Sequence, residues 1–463
     1  MDARAQRVAH AGGDAREAMK QLPLTTREAD APLAHRAGRT IDVGTFLAEV
    51  AALAERLPER AHAINLCRDR YRFSRAFAAV IAAGQTNLLP ANRLDATVAD
   101  LLTDYPDAYV LSDEPGDARW PQRCSARLEA APAGPGAVPQ IPAEQFAAIV
   151  FTSGSTGRPK AIPKPWRTYY DSSAINAAEM GLSADALHHL VATVPPQHMY
   201  GLETSVLIPL FAPVVASAAQ PFTPADIAAA LAALPAPRVL VSTPAHLRAL
   251  AEPPPQLPAV ETVWSATGPL DPAIAARLEA VHDTRVAEIY GCSEVGSMAR
   301  RRPTEDATWS LFQGFTLTED ASGATYADAA HLPVGFTLQD RLEHVAPGRF
   351  RVVGRDEDLV NIAGKRASLA ELNQALLRIP GVIDGALFAP PAAGDSDRPE
   401  RLAALVVAPE LSAEAIRAAL RERIDAAFLP RPLRHVERLP RTETGKLPRA
   451  ALLAAFEQAG GYR

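Results

Sequence analysis

The segment IVFTSGSTGRPK, Ile149 to Lys160, constrains this chain more than any other. An apolar run of strand type passes into a loop with two glycines, Gly154 and Gly157, and four hydroxyls, on Thr152, Ser153, Ser155 and Thr156. The cations Arg158 and Lys160 close it. Glycines let successive backbone N–H groups turn toward one anion, hydroxyls add donors, and a basic side chain supplies charge, so the segment reads as a phosphate cradle. A plain polar turn is the competing reading. The Walker pattern GxxxxGK[ST] fails, because Arg158, Pro159 and Lys160 follow Gly157 and no Ser or Thr follows the lysine. A P-loop kinase or GTPase is therefore not what the segment describes.

A chain of 463 residues exceeds one compact core, since cores stop growing near roughly 250 to 300 residues, and two or more domains are expected. With 48% hydrophobic and 22% charged residues it has the composition of an ordinary globular protein. The net charge of −6, from 47 Lys+Arg against 53 Asp+Glu, argues against bulk electrostatic binding to nucleic acid or to an anionic membrane. Cys67, Cys124 and Cys292 lie far apart, without zinc-site spacing, and read as buried thiols in a reducing compartment. The first 20 residues contain no apolar stretch resembling a signal-peptide core, so a cytoplasmic location is expected. Few apolar residues precede Ile41, and this stretch is expected to be partly disordered. The window Val206 to Ala219 is too short for a membrane span and is interrupted by Pro209 and Pro213, which assigns it to the core.

Strand-like and helical patterns alternate, as in layered α/β folds. Ile64 to Leu66 reads as a strand, Phe73 to Ala83 as a helix ended by Gly84, and Ala131 to Pro139 as a loop leading into a strand from Ala147 to Thr152. Thr223 as N-cap, Pro224 in the first turn and Asp226 at the third position open a helix, with a strand following at Arg238 to Thr243. Near Gly354 the pattern changes. Ser368 and Glu371 form a predicted capping box ahead of Leu369, Leu372 and Leu376. Strands at Ala386 to Phe388 and Ala403 to Val407, and a helix opening at Ser412, complete a small α+β unit. The expected division is an N-terminal domain over 1–354 and a C-terminal domain over 355–463.

The segment TSGSTGRPK resembles the phosphate loop of the ANL adenylate-forming superfamily, which holds acyl-CoA synthetases, peptide-synthetase adenylation domains and luciferases. Four further segments resemble family motifs in the family's order. EIYGCSEVG, Glu288 to Gly296, resembles YGxTE with Ser293 in place of Thr, and LQD ending at Asp340 stands where relatives have TGD. GRDEDLVNIAGKR, Gly354 to Arg366, is similar to the hinge segment, and PRTETGKLPR, Pro440 to Arg449, to the C-terminal lysine loop. The resemblance runs from about residue 60 to the C-terminus. It implies a large N-terminal α/β domain that binds ATP and a carboxylic acid, with a small mobile α+β domain behind it.

The same resemblance assigns roles residue by residue. Thr152, Ser153, Gly154, Ser155, Thr156, Gly157 and Lys160 would hold the ATP phosphates, and Glu294 is a hard oxygen ligand suited to Mg²⁺. Tyr290 would pack on adenine and Asp340 would accept from the ribose hydroxyls, with Gly268, Gly291, Ser293 and Arg355 completing the nucleotide contacts. Replacement of TGD by LQD keeps the carboxylate and changes the loop around it. Lys446 would bridge the attacking carboxylate and the α-phosphate, a transition-state electrostatic role. Glu357 falls at the hinge position, and Gly364 on the loop approaching a pantetheine arm. VPPQHMYG, Val194 to Gly201, resembles the acyl-pocket segment, with His198 lining the pocket or serving as a core histidine. Trp264, Ala266, Thr267, Gly268 and Gly291 are further pocket-wall candidates.

A narrower resemblance rests on Asn65 to Pro90, on Lys164-Pro165-Trp166 after the phosphate loop, and on PPQHMYGLE. These are similar to the small AMP-ligases of bacterial aryl polyene and xanthomonadin pigment pathways. That implies a hydroxybenzoate-like aryl acid loaded onto an acyl carrier protein or CoA. Three alternatives stay open: a fatty or other acyl-CoA synthetase, an enzyme that stops at the acyl-adenylate, and a catalytically silent nucleotide-binding scaffold.

Overall fold

The computed structural model describes residues 20–114, 119–120, 122–128, 132, 134–152, 160–182, 186–321, 323–355, 359–362, 365–390, 401–442, 445 and 447–461. They gather into two compact units. The larger holds the described residues through Asp306 together with Leu311–Phe315 and Asp328–Gly335; the smaller holds Ala307–Ser310, Thr316–Ala327 and the described residues from Phe336 onward. The fold class is the layered α/β arrangement with a smaller α+β unit that the sequence predicts.

In the larger unit, one sheet orders its strands Lys160–Pro165, Phe146–Thr152, Thr86–Leu89, His62–Asn65, Ala108–Ser112, Arg123–Ser125. All neighbours are parallel except the first two, which form an antiparallel pair. Ala108–Ser112 is buried at every position, as expected for a parallel strand covered on both faces. The covering helix Arg70–Ala82 starts earlier than its apolar pattern suggests, because the Asp69 carboxylate caps it by accepting from the Arg72 N–H at 2.9 Å. Gly84, with φ of 76°, lies just beyond its end. Phe73, Phe77, Trp166 and Tyr169 are fully buried in the core beneath, each contributing roughly 1.5–3 kcal/mol of burial free energy.

The second sheet of this unit runs Gly296–Arg301, Arg285–Cys292, Thr262–Ser265, Arg238–Ser242, His188–Ala192, Val214–Ser217, Pro32–Arg36, Arg39–Asp42. From Arg285–Cys292 to Pro32–Arg36 the neighbours are parallel. The Thr223 capping box closes as predicted: Thr223 Oγ1 accepts from the Asp226 N–H at 3.2 Å, and Asp226 accepts from the Thr223 N–H at 2.9 Å. The apolar window from Val206 lies in the core, with Val206, Leu207, Ile208, Leu210, Val214 and Val215 buried. Among the described residues no helix is long and apolar enough to cross a membrane.

The smaller unit carries the antiparallel hairpin Asp340–Ala346 with Arg349–Arg355 and a sheet of Asp384–Phe388, Ala403–Val407 and Leu433–His435. Helix Leu369–Leu377 supplies Leu372 and Leu376 to its core. The predicted Ser368–Glu371 capping box does not form. Ser368 is the N-cap residue but makes no side-chain cap bond, and its Oγ lies 3.5 Å from where a Cβ on Gly354 would stand. The hydroxyl is thus turned toward that hairpin rather than onto its own helix. The reading of three buried thiols also needs correction. Cys67 is fully buried, whereas Cys124 and Cys292 are partly accessible.

Candidate functional site

Three of the motif segments meet at one edge of the second sheet. Strands Arg238–Ser242, Thr262–Ser265 and Arg285–Cys292 are parallel, so their carboxyl ends lie side by side. The crevice beyond such ends is where open α/β sheets bind ligands. At those ends stand Trp264, Ala266, Thr267 and Gly268 on one strand and its exit, and Tyr290, Gly291, Ser293 and Glu294 on the next. Parallel strand His188–Ala192 delivers the third segment, in which His198 opens a short helix at Met199–Leu202. That turn is tight enough that a Cβ on Gly201 would lie 2.2 Å from the Pro195 carbonyl oxygen.

The turn after Arg285–Cys292 is shaped by two glycines. A Cβ on Gly291 would lie 2.1 Å from the Gly296 carbonyl oxygen, at a point where the pairing register of the two strands shifts. Gly296 itself has φ of 83°. Glu294 sits in the turn between them. Its Oε1 accepts from Lys160 Nζ at 3.1 Å, although the two residues are 134 positions apart in sequence. Lys160 is brought there because its strand pairs antiparallel with Phe146–Thr152, setting Lys160 opposite Thr152.

A buried polar layer supports the turn. Lys164, on the strand of Lys160, is 1% exposed and donates from Nζ to the backbone carbonyl of Glu294. Burial lowers the Lys164 ammonium to about 8, against the pull of Glu203, Cys292 and Glu294. Glu203 is buried and accepts from the Ser297 N–H at 3.2 Å and the Ser297 hydroxyl at 2.6 Å; burial raises its carboxyl despite these bonds. Glu288, 1% exposed in its side chain, accepts from the Leu270 N–H at 2.7 Å and pairs with Arg301 at 2.6 Å, tying the Thr267–Leu270 turn to its neighbour strand. Burial pushes the Cys292 thiol up to about 11, against the pull of the Val295 and Glu294 backbone bonds. Lys164, Glu203 and Glu288 lie within the motif segments KPW, PPQHMYGLE and EIYGCSEVG, but the sequence alone assigns none of them a supporting role. The available signal was their charge inside otherwise apolar, strand-like or helical stretches, where an ionised side chain needs a partner.

Among the described residues no group of three His, Cys, Asp or Glu could hold a metal ion by itself. The donor set fits Mg²⁺ in another way. This cation is usually held by one or two carboxylates plus substrate phosphates, and Glu294 presents one carboxylate beside a lysine at a strand end.

Other predicted site residues fall elsewhere. Asp340 and Arg355 belong to the smaller unit, where they are direct backbone partners across the hairpin. Ser153, Gly154, Ser155, Thr156, Gly157, Glu357, Gly364 and Lys446 lie outside the described residues, as do the side chains of Thr152 and Arg355. The residues flanking Lys446 are described: Arg441 donates from Nη1 to the Gly445 carbonyl at 2.9 Å.

Comparison with known proteins agrees with this architecture. A family model for the AMP-binding enzyme matches residues 54–321, and a model for the AMP-binding enzyme C-terminal domain matches residues 371–446. The chain is 32% identical over 310 residues to a 4-coumarate–CoA ligase of Rhodobacter capsulatus, covering 65% of this chain and 75% of that protein. It is 27% identical over 401 residues to a salicylyl-CoA synthase/salicylate adenylyltransferase of a Streptomyces species, covering 76% and 68%. The crystal structure of ATP-bound MatB from Rhodopseudomonas palustris shares the fold with a TM-score of 0.78 at 19% identity, covering 95% of this chain and 98% of its own.

Proposed function

The chain belongs to the AMP-binding enzyme family, of the acyl-CoA-ligase type, and from that premise we propose that it activates an aryl carboxylic acid as its adenylate and passes the acyl group to a thiol. The observation that carries this reading is the meeting of Lys160 and Glu294 at 3.1 Å beside the carboxyl end of the parallel sheet. Those positions suit one group on the ATP phosphates and one on their cation.

A carboxylate oxygen of the acid attacks the α-phosphorus of ATP; the new O–P bond forms as the bond to the bridging oxygen breaks, and pyrophosphate leaves. The sulfur of the thiol then attacks the acyl carbon, its proton is lost, and AMP departs with the electron pair of the C–O bond. The first step must bring a carboxylate against a phosphate that repels it. Lys160 and the Ser153–Gly157 loop would bind the phosphates, and Glu294 would hold Mg²⁺, which neutralises phosphate charge when bound. Tyr290 would stack on adenine, Asp340 would hold the ribose, and Lys446 would screen the carboxylate against the α-phosphate. A domain rotation about Glu357, with Gly364 bordering the thiol channel, would separate the two half-reactions.

Aryl specificity is supported by the similarity to ligases named for 4-coumarate and salicylate, and by the small residues Ala266, Gly268 and Gly291 in the proposed pocket wall. Within that class we favour a hydroxybenzoate, delivered to a carrier-protein pantetheine or to CoA. The test is acid-dependent pyrophosphate release from ATP and Mg²⁺ without thiol, over 3- and 4-hydroxybenzoate, benzoate, cinnamates and fatty acids. Release with hydroxybenzoates, followed by thiol-dependent loss of the adenylate, is expected. Release with fatty acids alone would overturn the aryl assignment, and no release with any acid would overturn the ligase reading in favour of a nucleotide-binding scaffold.

A further inference from the structure

The strand Lys160–Pro165 places two lysines four residues apart, and alternation along a strand sets both on the same face. Each reaches a different part of Glu294. Lys160 holds the carboxylate and is exposed; Lys164 holds the main-chain carbonyl and is buried. The far side of the same turn is held by Glu203, which takes both the backbone N–H and the hydroxyl of Ser297. The fit there is close: a Cβ on Gly296 would lie 2.4 Å from Glu203 Oε1. The five residues from Cys292 to Gly296 are thus gripped at Glu294 by a buried ammonium and just beyond Gly296 by a buried carboxylate.

An apolar residue at position 164 could fill the same core space. A buried lysine carries a large desolvation penalty unless its donors are used. Here the ammonium donates to a main-chain oxygen, and such a bond fixes the path of the turn rather than adding charge to a substrate. The Lys160 bond has the opposite character. It joins two accessible groups and can be exchanged for a phosphate oxygen without disturbing the backbone.

We propose that Lys164 and Glu203 are positioning residues that hold the Glu294 carboxylate in place for the divalent cation. This inference rests on the assignment of Glu294 as the cation ligand. Groups that orient a metal ligand typically change metal affinity by about 10- to 100-fold when removed.

The test is Mn²⁺ affinity, followed by electron paramagnetic resonance in the presence of the full chain and a non-hydrolysable ATP analogue. Wild type is compared with Glu294→Gln, Lys164→Met, Lys164→Arg and Ser297→Ala, and the melting midpoint of each variant is recorded. Glu294→Gln and Lys164→Met are both expected to weaken Mn²⁺ by about 10- to 100-fold, with partial recovery in Lys164→Arg. Ser297→Ala, which removes one of the two bonds to Glu203, is expected to weaken it several-fold. Weakening in Glu294→Gln with wild-type affinity in Lys164→Met and Ser297→Ala would overturn the positioning role and leave Glu294 as a ligand. Unchanged affinity in Glu294→Gln would overturn that ligand assignment, and the positioning role with it. Should Lys164→Met fail to fold, Ser297→Ala decides the matter, and wild-type affinity there overturns the proposal.

Discussion

Arg441 and Asp384 form a two-point pair, with Nε to Oδ2 at 2.8 Å and Nη2 to Oδ1 at 2.7 Å. The third face of the same guanidinium donates to the Gly445 carbonyl, so the residue preceding Lys446 is tied to the first strand of the smaller unit's sheet. A planar fork can hold a carboxylate and a carbonyl together; an ammonium cannot do so in the same geometry. Arg441→Lys is therefore expected to lower kcat for adenylate formation by about 10- to 100-fold, the scale set by displacing a catalytic group by roughly 1 Å. The KM for ATP should stay near the wild-type value. Stopped-flow pyrophosphate release across ATP concentrations checks this, and an unchanged kcat would remove Arg441 from the lysine loop's support.

Lys446 carries a second prediction. If it screens charge only as the carboxylate reaches the α-phosphate, its loss should spare the ground state. Lys446→Ala is expected to reduce adenylate formation by about 10²–10³ while the dissociation constant for ATP is retained. Calorimetric ATP titration and pyrophosphate release on one preparation separate the two effects. Adenylate formation at the wild-type rate would dismiss the lysine from the first half-reaction.

The parts of this molecule visible in its sequence are those that local chemistry determines. The Thr223 box was readable because N-cap, proline and acid lie within four residues, and its hydrogen bonds are all local. The Ser368 box had the same spacing yet failed: Ser368 is the N-cap residue, but its hydroxyl makes no cap bond and lies beside Gly354, fourteen positions away, a neighbourhood no local pattern encodes. Helix Arg70–Ala82 was placed late for a related reason: Arg70 looks like a surface residue but is buried, donating to the Ala192 and Val194 carbonyls. At the candidate site, glycine-rich and motif-bearing segments were legible. The supporting roles of Lys164 and Glu203, which lie in two of those segments, were not, because a buried charge is recognised by partners distant in sequence.

The stability of the larger unit should depend on pH through Glu279. Its carboxylate accepts from the Val286 N–H at 2.9 Å and pairs with Arg302 at 2.9 Å. Burial works to raise its pKa, but these bonds outweigh that and bring it below the ordinary 4.5. A carboxylate depressed on folding stabilises fully above its unfolded value, and that contribution is lost as pH falls through the folded value. Glu279→Gln should thus lower the unfolding midpoint at pH 7 by a few degrees, corresponding to roughly 1–2 kcal/mol. The difference from wild type should shrink progressively as pH falls below the ordinary carboxylate range and the group protonates in the folded state. A difference that does not change with pH would assign the effect to packing instead.

Gly291 offers the sharpest steric test of the proposed pocket. Its missing Cβ would meet a main-chain oxygen, that of Gly296, at 2.1 Å, so relief must come from the backbone and not from a side-chain rotamer. The two residues bracket the turn that carries Glu294, and a backbone shift there moves the carboxylate and Tyr290 together. Gly291→Ala is therefore expected to cost about 10²-fold in kcat/KM for adenylate formation, by misplacing groups on the scale of 1 Å. The melting midpoint is expected to fall far less than the activity. Adenylation kinetics and a melting curve on the same sample distinguish these effects. If kcat/KM stays at the wild-type value, the turn can widen without consequence, and neither Gly291 nor its spacing to Gly296 shapes the site. If activity and midpoint collapse together, the glycine serves folding, and the pocket wall must be sought at His198, Trp264, Ala266, Thr267 and Gly268.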